Sequence, residues 1–172
     1  TRLGMAGNLA DFVLIDKDGA VKKGSEIDYN GAPGGYAADP TEVVNYVSKH
    51  DNQTLWDMIS YKAAQEADLD TRVRMQAVSL ATVMLGQGIA FDQQGSELLR
   101  SKSFTRDSYD SGDWFNRVDY SLQDNNYNVG MPRSSDDGSN YDIIARVKDA
   151  VATPGETEPV SYTHLRAHAT LS

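Results

Sequence analysis

Residues Asn45–Asp57 read Asn-Tyr-Val-Ser-Lys-His-Asp-Asn-Gln-Thr-Leu-Trp-Asp. The run closes a short apolar segment, Val43–Val47, and passes at once through a histidine, a carboxylate and a carboxamide before helix-forming residues begin. This order is typical of a polar site at the C-terminal end of a β-strand, with Asp51–Thr54 available to cap the next helix. We therefore predict a strand over Val43–Val47 and a helix that starts near Leu55.

The chain after this helix completes a strand–helix–strand unit. Apolar residues recur at helical spacing over Val73–Met84, with Asp70 or Thr71 as the predicted cap, and Gly86 ends the helix. A second apolar strand is predicted at Ile89–Phe91. Because a crossover of this length joins parallel neighbours, we predict a parallel strand pair in an α/β sheet that is buried on both faces.

The rest of the chain is predicted to hold a hairpin, two long loops and a last helix. The apolar run Phe12–Ile15 precedes an Asp-Gly turn, which favours the hairpin. Gly24–Pro40 and Asp92–Asn140 are rich in glycine and polar residues and are predicted to be long loops. The aromatic residues in the second loop argue for an ordered segment. Tyr141–Val151 is predicted to be a short helix.

The composition excludes several classes of site. The chain has 172 residues, which is about the size of one domain. Its formal net charge of -9 would repel a phosphate backbone, so nucleic-acid binding is not expected. The absence of cysteine excludes disulfides, thiolate zinc sites and cysteine nucleophiles. No apolar run approaches the ~18 residues of a membrane span.

The last stretch, Pro159–His168, is unlike everything before it. It carries His164 and His168, which are four residues apart and could form a metal-binding pair on a helix. No third ligand accompanies them, and the segment resembles the translation of a sequencing adapter at the end of a DNA fragment. Residues 159–172 are therefore expected to be a non-native tail.

A parallel strand pair with polar loops is consistent with part of a (β/α)8 TIM barrel, whose chemistry lies at the C-terminal ends of its strands. His50, Asp51 and Asn52 follow the first predicted strand, and Gln93–Arg100 follow the second. These residues alone leave a simpler interpretation open, in which Asp51 only caps a helix and His50 packs in a loop.

Three segments, in order, resemble the α-amylase superfamily of glycoside hydrolases. Tyr36–Asp57 resembles the fourth conserved region of that superfamily, and its ending from His50 onward is similar to the pullulanase-type debranching enzymes. Gln94–Lys102 resembles the segment after the eighth barrel strand. Asp110–Tyr120 resembles the debranching-enzyme loop that follows. The resemblance extends over residues 1–158.

The resemblance implies that residues 1–158 form the C-terminal part of a catalytic (β/α)8 barrel, with about its last two strands, their helices and long loops. It also implies retaining hydrolysis of α-1,6-glucosidic linkages in pullulan, starch and glycogen-type dextrins. Such hydrolysis uses a nucleophilic carboxylate and an acid/base carboxyl group. By the resemblance, both precede this chain, and Asp51 matches a third carboxylate that stabilises the transition state.

The same resemblance assigns substrate-binding residues. His50 matches a hydrogen-bond donor to the sugar that Asp51 holds, and Asn52, Trp56 and Glu97 match positions near the site. Glu97 matches a glutamate that is not catalytic. Trp114 is a further candidate, since an aromatic residue in a long loop either stacks on a sugar ring or serves as a packing anchor.

No cofactor is evident in the sequence, and calcium is possible in the parent enzyme. The resemblance implies that the parent enzyme is secreted or lies at the cell surface. The isolated chain is expected to be inactive, and to be poorly folded because barrel strands without neighbours leave sheet edges unpaired. Two other interpretations stay open. One is a non-catalytic α-glucan-binding module built on Trp114 and Tyr120. The other is a metal-dependent hydrolase that combines His50 and Asp51 with the two tail histidines.

Overall fold

The computed structural model describes residues 1–149, which divide into two compact units. Unit 1 contains Thr1–Val47 and Ser79–Asp92. Unit 2 contains Ser48–Val78 and the chain from Gln93 onward. The candidate polar loop at 50–52 therefore belongs to unit 2, and the predicted strands belong to unit 1.

The first hairpin of unit 1 confirms the prediction from the Asp-Gly turn. Val13–Ile15 (β1) pairs antiparallel with Val21–Lys23 (β2). The Asp16 carboxylate closes the turn, because its Oδ1 accepts hydrogen bonds from the backbone N–H groups of Asp18 and Ala20, both at 2.9 Å. Asp16 thus acts as an Asx-turn residue.

A second hairpin lies where the sequence predicted only a loop, Gly24–Pro40. Asp28–Tyr29 (β3) and Ala32–Pro33 (β4) pair antiparallel. Asn30 and Gly31 form the two-residue connection and both have positive φ, 54° and 85°. This is the backbone that an Asn-Gly turn between short strands favours, so the loop prediction was wrong at a position where the sequence carried a hairpin signal.

The predicted parallel pair is present. Val44–Asn45 (β5) pairs with Ile89–Ala90 (β6) in parallel, and the Asn45 side chain donates to the Gln87 carbonyl at 2.5 Å. Each strand is shorter than predicted. Val44 and Ile89 are about half exposed, so the prediction that the sheet is buried on both faces was wrong for this chain. No other strand of the described residues pairs with β5 or β6, so both edges of the pair are also open. The mixed helix–strand organisation is confirmed. Two-stranded sheets do not make a barrel by themselves, so the barrel stays a prediction.

Helices join and follow the strands. Their bounds are Arg2–Met5 (α1), Leu55–Lys62 (α2), Leu69–Met84 (α3), Asp113–Asn116 (α4), Ser134–Asp137 (α5) and Tyr141–Val147 (α6). The long loop predicted over 92–140 therefore contains two single-turn helices, as well as 3-10 turns at Ser96–Leu98 and Gly138–Asn140.

Two helix starts show how far capping could be predicted. The Thr54 hydroxyl accepts from the Asp57 N–H at 3.2 Å and caps α2 within the predicted segment. The predicted cap of α3 was wrong. Asp68, rather than Asp70 or Thr71, accepts from the Thr71 N–H at 2.8 Å, so the helix starts earlier than the apolar spacing indicates.

The hydrophobic core of the described residues lies in unit 2. Its buried members are Trp56, Val73, Leu99, Phe104, Tyr127, Ile144 and Val147. The Phe104 ring stacks on Tyr61 with centroids 5.5 Å apart and meets Tyr127 edge-on at 5.1 Å. The Tyr127 hydroxyl donates to the Val147 carbonyl at 2.9 Å, which ties the end of α6 to this aromatic cluster.

A buried carboxylate joins α2 to the segment that follows β6. Asp57 is fully buried, and its Oδ2 accepts from the backbone N–H groups of Lys102 at 2.9 Å and Phe104 at 3.2 Å. Its Oδ1 accepts from the Ser101 hydroxyl, and that hydroxyl accepts from the Ser103 N–H at 2.8 Å. These bonds satisfy buried donors of a segment that has no regular secondary structure.

Burial raises the pKa of Asp57 above its ordinary value of 3.8, and the hydrogen bonds from Ser101, Lys102 and Phe104 offset part of that rise. A carboxyl group whose pKa is higher in the folded than in the unfolded chain stabilises the fold fully below its unfolded pKa. That contribution is lost as the pH rises through the folded pKa.

We predict that the amides of unit 2 resist hydrogen exchange more than those of unit 1 in the purified chain. The apolar cluster lies in unit 2, whereas Val13, Ile15 and Val21 of the first hairpin are more than half exposed. Hydrogen-exchange mass spectrometry of peptides that cover α6 and the hairpin measures the difference. Equal protection of the two peptides would contradict the prediction.

We predict that Asp57→Ala is far more damaging than Asp57→Asn. Alanine leaves the three donors on Ser101, Lys102 and Phe104 unsatisfied at about 1–3 kcal/mol each, whereas asparagine keeps the shape and one acceptor oxygen. The urea unfolding midpoint of each variant measures this.

The pH dependence of stability provides a second test, in which the wild type is compared with Asp57→Asn. Because the pKa of Asp57 is raised, the stability of the wild type relative to Asp57→Asn should fall as the pH rises from the ordinary value of 3.8 through the raised pKa of the folded chain. A wild-type advantage that grows over this range would show that the carboxylate is favoured in the fold.

Candidate functional site

The loop before α2 is tied down at its two ends. Ser48 and Thr54 are buried. The Ser48 hydroxyl accepts from the Leu55 N–H at 3.3 Å and donates to the Gln93 side-chain oxygen at 2.6 Å. These contacts close the loop across its base, so the positions of both ends of the loop between Ser48 and Leu55 are fixed.

His50, Asp51 and Asn52 lie at the exposed top of this loop. The side chains of His50 and Asp51 are 87% and 57% exposed. Asn52 has a left-handed backbone, with φ of 61°, which asparagine adopts more readily than most residues. The loop therefore turns sharply just after the carboxylate and leaves the Asp51 oxygens accessible to a ligand.

Two basic side chains flank the Asp51 carboxylate. The Lys49 ammonium hydrogen-bonds to Oδ2, and the His50 Nε2 lies 3.5 Å from Oδ1. The Lys49 hydrogen bond is the main reason that the pKa of Asp51 is below its ordinary value, with smaller contributions from the charges of His50, Lys49 and Lys102. Asp51 is thus a carboxylate at neutral pH, able to accept hydrogen bonds from hydroxyl groups.

A buried lysine holds the loop from beneath. Lys102 is 1% exposed, and its ammonium donates to the His50 carbonyl at 2.8 Å. Nothing in the sequence Ser-Lys-Ser-Phe-Thr at 101–105 indicates that this lysine is buried. Lys49 and Lys102 were both missed as site residues by the sequence reasoning, since a lysine in a polar stretch is usually solvated.

Glu97 lies in the turn after β6 and is exposed. Its carboxylate accepts from the Gly95 N–H at 3.1 Å, a contact within its own turn. Among residues 1–149, no hydrogen bond or ion pair joins Glu97 or Trp114 to the 50–52 loop. Their predicted substrate-binding roles stay predictions.

Trp114 lies on α4 beside a shallow groove of about 400 Å³, which Asp113, Asn116 and Arg117 also line. Its ring is 59% exposed, and its Nε1 donates to the Val129 carbonyl at 3.4 Å. The Arg117 guanidinium lies 5.9 Å from the ring centroid, within cation–π range. An exposed, oriented indole of this kind offers a flat apolar surface to a ligand ring.

Trp56 lies elsewhere. Its side chain is 1% exposed and belongs to the hydrophobic core of unit 2. This burial argues against the predicted direct contact with substrate, because a ligand cannot reach a side chain without accessible surface. Position 56 follows the cap of α2 and faces inward, so its role in this arrangement is packing.

The described residues offer no group of three or more histidine, cysteine, aspartate or glutamate side chains that could hold a metal ion. The tail histidines of the metal-hydrolase interpretation, His164 and His168, lie outside residues 1–149, as does the predicted tail at 159–172. None of the helices within residues 1–149 has the length and apolar character to cross a membrane.

Comparison with known proteins identifies close relatives of this chain. No family model matches it. A pullulanase from Klebsiella aerogenes is 99% identical over 158 residues, which cover 92% of this chain and 14% of the relative. The chloroplastic pullulanase 1 of Arabidopsis thaliana is 44% identical over 163 residues, covering 94% of this chain and 17% of the relative.

Solved structures agree with the sequence comparison. The crystal structure of Klebsiella pneumoniae pullulanase complexed with maltotriose is 94% identical and superposes with a TM-score of 0.88, over 96% of this chain and 15% of that one. The chain therefore spans only about a seventh of the length of the pullulanases it matches. Over this shared segment it belongs to the pullulanases and is a fragment of a larger enzyme.

Proposed function

We propose that this chain supplies one wall of the α-glucan-binding cleft of a pullulanase that hydrolyses α-1,6-glucosidic linkages. One observation carries the proposal. Asp51 is an exposed carboxylate, held between Lys49 and His50, on an anchored loop of a segment 99% identical to a pullulanase.

The proposed catalytic framework is a (β/α)8 barrel to which this chain contributes about two strands. The parallel pairing of β5 with β6, with α2 and α3 between them in sequence, supports this because barrel strands are parallel and separated by helices. The loop at 50–52 comes after β5 and the segment from Gln93 comes after β6. In such a barrel both would contribute to the same catalytic face.

The proposed reaction is hydrolysis with retention of configuration. It requires a nucleophilic carboxylate and an acid/base carboxyl group about 5–5.5 Å apart. We propose that both come from the part of the parent enzyme outside the matched 158 residues. Asp51 then acts as the transition-state stabiliser. It accepts hydrogen bonds from sugar hydroxyls that strengthen as the ring distorts towards the oxocarbenium-like state.

His50 and Asn52 are proposed to hold the same sugar as Asp51. Both side chains extend from the exposed top of the loop, and both can donate hydrogen bonds. Trp114 is proposed as a stacking surface for a further glucose unit, supported by its 59% exposure and by the hydrogen bond that orients its ring. Glu97 is proposed to bind substrate at the edge of the cleft.

The proposed substrate is an α-glucan such as pullulan, starch or a glycogen-type dextrin. The maltotriose in the solved Klebsiella pneumoniae complex supports this, because maltotriose is a short α-glucan. The relatives are pullulanases, so the alternative of a non-catalytic glucan-binding module is not favoured. We also propose a secreted or cell-surface location for the parent enzyme.

We predict that the purified 172-residue chain releases no reducing sugar from pullulan. The reason is that the proposed nucleophile and acid are not among its residues. The intact pullulanase that contains this segment, assayed at the same molar concentration, is the positive control. Turnover by the short chain that scales with its concentration would overturn the proposal that the nucleophile and the acid/base group lie outside the matched 158 residues.

We predict that Asp51→Asn in the intact enzyme lowers kcat by at least about 100-fold, because the hydrogen bonds it would weaken contribute several kcal/mol at the transition state. Steady-state kinetics on pullulan measure this. Asp142→Asn, the same chemical change at an exposed carboxylate on α6, is the matched control and should leave kcat unchanged. Normal turnover by Asp51→Asn would remove Asp51 from the reaction.

A further inference from the structure

Lys102 is buried in a way that its sequence neighbours do not explain. Its side chain is 1% exposed, and burial lowers the pKa of its ammonium, while the charge of Asp57 opposes that shift. Moving a charged amine out of water is costly unless its hydrogen bonds are well satisfied. A lysine that served only to fill space here would be replaced at a gain by an apolar side chain of the same length.

The ammonium of Lys102 forms a hydrogen bond with the candidate site. It donates at 2.8 Å to the carbonyl of His50, the residue that immediately precedes Asp51. This contact joins residues 52 positions apart in the chain. It acts on the backbone of the loop, so the side chains of His50 and Asp51 stay exposed at its top.

The base from which Lys102 reaches is rigid. Its own N–H donates to the buried Asp57 carboxylate at 2.9 Å, and that carboxylate also accepts from Ser101 and Phe104. Phe104 is packed between two aromatic rings of the core. A side chain that extends from such a fixed backbone can hold its partner to a narrow range of positions.

The loop needs such a support. Its top is exposed on the solvent side, and Asn52 turns it through a left-handed conformation. Ser48 secures the beginning and end of the loop, whereas the His50 carbonyl is the point directly beside the carboxylate. Small displacements of a catalytic group lower the rate strongly even where binding is retained.

We propose that Lys102 is a positioning residue for the reaction, which sets the place of the Asp51 carboxylate by holding the His50 carbonyl from beneath the loop. This inference rests on the proposed function. It predicts a defect that falls on turnover rather than on substrate affinity, since contacts made mainly in the transition state affect kcat more than KM.

The test uses the intact pullulanase that contains this segment. Lys102→Met keeps the length of the side chain and removes the donor, and Lys62→Met, on the exposed side of α2, is the matched control. We expect Lys102→Met to lower kcat on pullulan by about 10-fold with KM changed less than about 3-fold. Lys62→Met should match the wild type, and Lys102→Arg should recover part of the loss.

A double variant separates positioning from a general loss of structure. If Lys102 acts through the loop that carries Asp51, most of the effect of Lys102→Met should disappear in an Asp51→Asn background. Effects that multiply independently would overturn the inference. The thermal midpoint of Lys102→Met should lie within about 4 °C of the wild-type value.

The outcomes distinguish this inference from the proposed function. If Asp51→Asn is inactive while Lys102→Met is fully active, the positioning role of Lys102 is wrong and the proposed function stands. If Asp51→Asn keeps its activity, the proposed role of Asp51 is wrong. If Lys102→Met does not fold, Lys102→Gln replaces it, and failure of both to fold would show that Lys102 serves the fold instead.

Discussion

The buried carboxylate of Asp57 is the interaction on which unit 2 depends. The segment at 101–104 has no regular secondary structure, yet its side chains are buried. Buried N–H groups require acceptors, and helix and strand ladders are unavailable to an irregular segment. Asp57 supplies acceptors for Ser101, Lys102 and Phe104 from a single helix position. Its location at the start of α2 thereby fixes a segment more than 40 residues away in the chain.

The candidate site is built on this buried base. Phe104 packs in the aromatic core beside Tyr61 and Tyr127, and the Lys102 side chain hydrogen-bonds to the loop that precedes α2. The hydrophobic core and the polar loop are therefore connected through one short segment. Because the anchoring contact is to a backbone carbonyl, the exposed carboxylate of Asp51 stays available for a ligand.

Much of the local structure could be predicted from the sequence, because the signals are local. The Asp-Gly turn indicates the first hairpin, the crossover length indicates that β5 and β6 are parallel, and the threonine before Leu55 caps α2. The errors have physical reasons as well. The Asn-Gly turn at 30–31 lies between strands of only two residues, too short to show alternation. Asp68 precedes the apolar repeat that was used to locate the start of α3.

The sequence by itself determined which residues could do chemistry. His50, Asp51 and Asn52 are adjacent polar residues after a predicted strand, and this order made them candidates, although the spacing alone left open that His50 packs in the loop. Only the tertiary structure decided which residues support them. Lys102 and Asp57 lie far apart in sequence and neither stands out in its surroundings. Their roles arise from burial, which turns an ordinary lysine and aspartate into groups that must find partners. Trp56, which the sequence placed among the predicted substrate-binding residues, is a buried member of the core of unit 2.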